Sequence, residues 1–313
     1  MERKVLVALD NSEYYREMVA YLAALFADQP EVSLHLLGVA PCPCDDAGRD
    51  WLDQQELLTI IDETTRKGFV KRKQHMHQAR ETFLHRGFDP ARVSAEVRLC
   101  RVGIAADILH QARQGEYDVL AMGKRDITLL EKMIAGSVST EVLDKHDDLP
   151  VWVLTGDIGS ARFLVPVDCT PHTLDAVDHL AFILQDNPHA EITLFHSCAL
   201  LAGEHITPRE EFHGKWGEEW CDRHLRGEED GHFHFAAAEQ ILREGGFPAA
   251  RIHRLKSDRG IEPGQMIVHH VKHDGFGTIV MGRRRKDVGK GIFRGVSDRV
   301  LANVNNVAVW IVG

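Results

Sequence analysis

The sequence predicts an α/β protein built from two tandem, open, doubly wound domains, each a five-stranded parallel sheet covered by helices. Three observations predict it. A repeat runs the length of the chain: Leu6-Val7-Ala8-Leu9-Asp10 returns 158 residues later as Leu164-Val165-Pro166-Val167-Asp168. Val119-Leu120-Ala121-Met122-Gly123 returns after 159 as Thr278-Ile279-Val280-Met281-Gly282, and Pro150-Val151-Trp152-Val153-Leu154 after 158 as Ala308-Val309-Trp310-Ile311-Val312. Solenoid repeats span roughly 20–50 residues, so a period this long is a whole domain. The strand-like segments are short and dense in Val and Leu without polar alternation, the mark of strands covered on both faces. These strands alternate with segments of helical period, which calls for right-handed crossovers and a parallel sheet.

Each half opens on such a strand, Val5 to Leu9 or Phe163 to Val167. A helix follows: Met18, Val19, Leu22, Leu25 and Phe26 recur at helical spacing, as do Leu174, Val177, Leu180, Ala181 and Leu184. Thr170-Pro171 reads as an N-cap with proline at the first helical position, and Ser12 is the matching cap. The second strands are Val32 to Val39 and Ile192 to His196. A long polar insertion follows in each half, then a helix ending at Gly87-Phe88 or Gly246-Phe247. The third strands are Val93 to Leu99 and Ile252 to Lys256, followed by helices Ala105 to Gln114 and Gly264 to His273. The fourth strand then leads through a glycine-containing loop to a helix (Ser139 to Lys145; Ser297 to Ala302) and the closing strand (Val151 to Leu154; Val307 to Val312). The expected domains are 1–156 and 161–313, joined by the short linker Thr155 to Ser160, which predicts packed rather than loosely tethered copies.

At 313 residues and 44% hydrophobic content, each half is long enough to bury its own core. A net charge of −10 argues against a broad nucleic-acid or anionic-membrane surface. The basic run Arg283-Arg284-Arg285-Lys286 is accordingly read as a phosphate-facing or solvated loop. No apolar run approaches the ~20 residues that span a bilayer, and the first residues lead straight into a strand, so a cytoplasmic protein is expected. Six scattered cysteines make no disulfide framework and fit a reducing compartment.

In doubly wound sheets ligands bind at the carboxyl ends of the strands, where strand order reverses. There the first half offers Leu9-Asp10-Asn11-Ser12, Gly38-Val39-Ala40, Met122-Gly123-Lys124-Arg125-Asp126 and Gly136-Ser137-Val138-Ser139. The last group opens a helix, where free amides and hydroxyls suit a phosphate and glycine lets the backbone approach it. Asp10 and Asp168 each follow a buried strand and either cap the next helix or position a ligand. No Walker lysine motif and no Gly-x-Gly-x-x-Gly loop occurs, which disfavours a P-loop NTPase and a dinucleotide dehydrogenase.

Gly123-x2-Asp126-x9-Gly136-Ser137 resembles the Gly-x2-Gly-x9-Gly-Ser/Thr signature of the ATP-binding branch of the universal stress proteins. The resemblance covers the whole chain twice and implies a tandem member with the adenine nucleotide alpha hydrolase-like fold. It further implies adenine near Leu9, Asp10 and Val39, ribose near Gly123, and phosphates near Asp126, Gly136, Ser137, Val138 and Ser139. Family members often pair through the closing strand, which implies an internal pseudo-dimer and leaves a further homodimer open. The implied function is a stress-response regulator that binds ATP or AMP rather than turning it over. Slow hydrolysis would need an ordered water and a base, for which Asp126 is the one attractive residue.

The signature is partly degenerate. Asp126 stands in place of its second glycine; a carboxylate ~4 Å from a phosphate costs roughly 4 kcal/mol at an effective dielectric near 20. Mg²⁺ between them, an aspartate turned away, or Lys124 and Arg125 would offset this. The second half departs further: between Gly282 and Ser297 it is one residue shorter, and Arg294 falls where Gly136 stood and Gly295 where Ser137 stood. Arg294 either grips a phosphate or fills its space. The weaker second site therefore comprises Val167, Asp168, Cys169, Gly282, Arg285, Arg294, Gly295, Val296 and Ser297, with Cys169 a lining residue rather than a nucleophile.

The alternative reading is a partner-binding scaffold with degenerate pockets and a zinc site in the second insertion. Cys221-x2-His224 and His232-x-His234 supply sulfur and imidazole, ligands that suit zinc. The spacing is not that of a familiar finger, and nineteen histidines produce clusters by chance. Cys42-Pro43-Cys44 reads as a proline-stiffened loop after the second strand, with the thiols as further metal candidates.

Overall fold

The computed structural model describes residues 2–10, 15–42, 52–123, 142, 149–168, 170–199, 210–225, 233–260, 262–283 and 295–313, the side chains of 197–199, 233–234 and 256–260 excepted. The chain divides into two compact units, Met1–Asp157 and Ile158–Gly313.

The first unit runs β1 (Arg3–Ala8), α1 (Tyr15–Leu25), β2 (Val32–Ala40), α2 (Gln54–Ile60), α3 (Glu63–His85), a 3₁₀ turn (Pro90–Arg92), β3 (Val93–Leu99), α4 (Ile104–Gln114), β4 (Val119–Gly123) and β5 (Val151–Thr155). Its strands lie in the order β3-β2-β1-β4-β5, all parallel. Strand order thus reverses between β1 and β4. Val5, Leu6 and Val7 are fully buried, as the unbroken apolar run requires; burying each such side chain stabilises by about 1.5–3 kcal/mol. Trp152 on β5 is also fully buried and stacks on Phe26, ring centroids 6.1 Å apart. The polar insertion forms two helices because Asp53 and Glu56 build a capping box at α2, and Asp62 caps α3 through the amide of Thr65. The expected helix 139–145 lies outside the described residues apart from Val142.

The second unit repeats the plan with β6 (Arg162–Pro166), α5 (Pro171–Ile183), β7 (Glu191–Ala199), α6 (Glu210–Trp216), α7 (Glu218–His224), α8 (Phe233–Glu244), a 3₁₀ turn (Ala249–Arg251), β8 (Ile252–Gly260), α9 (Pro263–Asp274), β9 (Thr278–Gly282), α10 (Val296–Asn303) and β10 (Val307–Val312). Within this unit the order is β8-β7-β6-β9-β10, again parallel. Trp310 on β10 is fully buried and meets Phe163 edge-on, centroids 5.4 Å apart. Strands β7 and β8 run past the expected ends at His196 and Lys256, because an irregularity in register between Phe195 and Ser197 lets their pairing continue.

The two units close their long helices alike. Gly87 and Gly246 take left-handed φ of 90° and 91°. The amides of Phe88 and Phe247 reach back to the carbonyls of Phe83 and Leu242, at 3.2 and 2.9 Å. This is a Schellman closure, which only glycine adopts without strain. Phe83 and Phe88 complete it with rings 5.3 Å apart.

Candidate functional site

In the first unit, parallel pairing sets Ala8 level with Leu37 on β2 and with Met122 on β4. The Leu9 amide continues the ladder by donating to Leu37 O at 2.9 Å. Leu9, Val39 and Met122 therefore leave the sheet close to one level, all buried, with Asp10 half-buried beside them. Gly123 ends β4 exposed; among the described residues nothing lies within 4 Å of where its Cβ would stand. On the β2 side the wall is α3, which crosses so close to Gly38 that a Cβ there would meet Met76 Cε at 2.9 Å and Arg72 Cδ at 3.2 Å. The same helix stacks His75 on Tyr15, the first residue of α1, at 5.7 Å, and the Tyr15 hydroxyl donates to Gln78 Oε1 at 3.2 Å. Asn11, Ser12, Lys124, Asp126, Gly136, Ser137, Val138 and Ser139 lie outside the described residues.

Just past the carboxyl end of β2, Cys42 is buried in an apolar cluster with Leu57, Ile61, Phe69 and Leu99. Its thiol packs the insertion helices against the ends of β2 and β3, while Pro43 and Cys44 lie outside the described residues.

In the second unit the corresponding strand ends hold Val167, buried, and Asp168, exposed. Asp168 Oδ1 accepts from the Thr170 amide at 3.0 Å and from the hydroxyls of Thr170 and Thr173, both at 2.5 Å. This carboxylate, rather than the Thr170 side chain, ties down the start of α5; Thr170 is the N-cap residue by backbone, with Pro171 following, yet its hydroxyl makes no capping bond. His196 Nδ1 lies 2.7 Å from Val167 O. A carbonyl only accepts, so the proton of this bond sits on Nδ1.

Gly282 has a packing role. A Cβ there would stand 2.2 Å from His172 O and 2.8 Å from Thr173 N, inside the backbone of the first turn of α5. Past it, the Arg283 amide donates to Val312 O at 2.6 Å, and the buried Arg283 guanidinium lies 3.9 Å from Asp298 Oδ1. Asp298 Oδ2 accepts from the amide of Gly295, the N-cap of α10, at 3.2 Å. The helix terminus thus already carries a carboxylate of its own, which occupies one amide that an incoming anion would use. Val296 is exposed and Ser297 buried in the same turn. Cys169, Arg285 and Arg294 lie outside the described residues. Sequence reasoning passed over Asp298, although its place three residues after Gly295 is a readable capping position. It also passed over His196, for which no local signal exists.

Of the zinc candidates in the second insertion, the side chains of Cys221 and His224 lie among the described residues. Cys221 is fully buried on α7, and His224 on the same helix packs its ring against Trp220 at 4.9 Å. His232 lies outside the described residues, as does the side chain of His234 on α8. No group of three His, Cys, Asp or Glu side chains positioned for a metal occurs among the described residues. Among them, too, no helix is long and apolar enough to cross a membrane.

The profile of the universal stress protein family matches the chain twice, over residues 1–154 and 160–313. Among solved structures, a universal stress protein from Archaeoglobus fulgidus DSM 4304 is similar at 17% identity and TM-score 0.65, covering 99% of this chain and 95% of that one. A putative universal stress protein from Pseudomonas aeruginosa UCBPP-PA14 follows at 13% identity and TM-score 0.59, covering 99% and 93%. A universal stress protein from Archaeoglobus fulgidus in complex with dAMP matches 48% of this chain and 95% of its own, at 12% identity and TM-score 0.33. No curated protein matches the chain.

Proposed function

Since the chain belongs to the universal stress protein family in both of its halves, we propose that it is a cytoplasmic stress-response regulator that binds an adenine nucleotide, ATP or AMP, mainly in its first half. What supports this reading is the convergence of Leu9-Asp10, Val39 and Met122-Gly123 at the point where strand order reverses, from which the chain continues into Lys124, Asp126 and the Gly136-Ser137-Val138-Ser139 segment. The buried apolar ends of β1, β2 and β4 suit the faces of a purine, and the glycine-bearing segment suits ribose and phosphates. In this reading Asp126 shares an Mg²⁺ ion with the phosphates, or Lys124 and Arg125 offset its charge. Binding, and the conformational preference it confers, is the output.

The second half is proposed as the weaker site. Supporting this are the self-capped start of α10 and the packing of Gly282 against α5. The same two observations favour a second reading for this half alone, a partner-binding surface without nucleotide.

The test is to purify the protein without added nucleotide, denature it and identify released small molecules and metals by mass spectrometry. Release of AMP or ATP, approaching one per chain, is expected. No adenine nucleotide, together with no thermal stabilisation by added AMP or ATP-Mg²⁺, would sink the proposal.

A further inference from the structure

Helix α9 ends in His269-His270-Val271-Lys272-His273-Asp274. His270 turns inward: it is buried, and its Nδ1 bonds Asp274 Oδ2 at 2.8 Å. His269 and His273, one helical turn apart, are both exposed, and their rings lie together with centroids 4.4 Å apart and planes at 40°. An ion held ~2.1 Å from one nitrogen of each ring would sit ~3.2 Å from each centroid, and an N–metal–N angle of ~90° then separates the centroids by ~4.5 Å. The centroid spacing of the pair thus matches that of two imidazoles sharing one ion. It also sits in the last turn of α9, where the helix dipole and terminal carbonyls favour a cation.

We propose that His269 and His273 form a two-imidazole site for a late first-row transition ion, completed by water, with Cu²⁺ bound ahead of Ni²⁺ and Zn²⁺. The duplication supplies an internal control. At the 159-residue offset of the neighbouring strand, α4 carries His110 and Gln114 in these places, so the first half has one imidazole where the second has two. The site is distinct from the strand ends at which nucleotide binding is proposed, and stands or falls independently of it.

The untagged full-length chain, labelled with ¹⁵N, is titrated with CuCl₂ and its amide signals followed. Substoichiometric Cu²⁺ should broaden the last turn of α9 first. His273→Gln, which installs the residue of the first half, should need at least tenfold more Cu²⁺ for the same loss. Gln114→His should create a matching zone of broadening at the end of α4. Both positions are exposed, so urea midpoints should stay at the wild-type value and exclude misfolding as the cause. Unchanged broadening of α9 in His273→Gln, or no gain on α4 in Gln114→His, would overturn the proposal.

Discussion

His179 makes the second unit sensitive to acid. It lies buried on α5, with its ring 6.2 Å from that of Trp310. Burial first, and then the nearby Lys215 ammonium, push its pKa from the ordinary 6.5 down to about 3. Lys215 is held on the spot by Asp175 and Asp178 at 2.8 and 3.0 Å, which pins α6 to α5. Because the folded pKa is depressed, the unfolded chain takes up a proton that the native chain refuses, and stability falls as pH drops below 6.5. Between pH 7.5 and 5.5 the unfolded histidine goes from about one-tenth to about nine-tenths protonated, which corresponds to ~1.4 kcal/mol lost from this residue alone. The assay is urea unfolding at both pH values for the wild type and His179→Leu. The variant's loss over the interval should be smaller by about that amount, whatever its absolute stability, since other histidines contribute equally to both proteins. Identical pH slopes for wild type and His179→Leu would refute the reasoning.

Two further outcomes follow from the second half. Gly282→Ala places a Cβ where the His172 carbonyl stands, so α5 must move; a loss of ~1–3 kcal/mol is expected in the urea midpoint of this unit. Asp168→Ala removes the acceptor of three hydrogen bonds and should cost ~2–4 kcal/mol, while Asp168→Asn, which keeps a carbonyl oxygen there, should lose clearly less. Equal losses for the two Asp168 variants would mean that the carboxylate's charge, not its capping bonds, matters.

Strands and helix ends were legible because their causes are local. Val5 to Val7 are apolar without alternation, and Gly87-Phe88 and Gly246-Phe247 mark helix ends through a backbone conformation other residues avoid. The offset between copies was legible too, and its one-residue slip located the divergence between Gly282 and Ser297. The parts that escaped depend on atoms brought together by folding. Asp168 looked equally suited to ligand or cap; only the hydroxyl of Thr173, five residues on, together with Thr170, shows where Oδ1 is committed. Gly282 read as a loop glycine facing a ligand, whereas the first turn of α5 lies against it. Cys42 read as half of a loop pair and is a core residue of the insertion. The Asp53-x-x-Glu56 box that starts α2 was present in the sequence, yet the polar character of the insertion around it hid the helix.

On the proposed function, one architecture, duplicated, carries one principal nucleotide site. Isothermal titration of nucleotide-free protein with AMP and with ATP-Mg²⁺, on the wild type, Gly136→Arg and Gly295→Arg, tests it most directly. One strong binding event per chain is expected, abolished by Gly136→Arg and retained in Gly295→Arg. Two equal sites, no binding, or loss of the strong event in Gly295→Arg alone would contradict it.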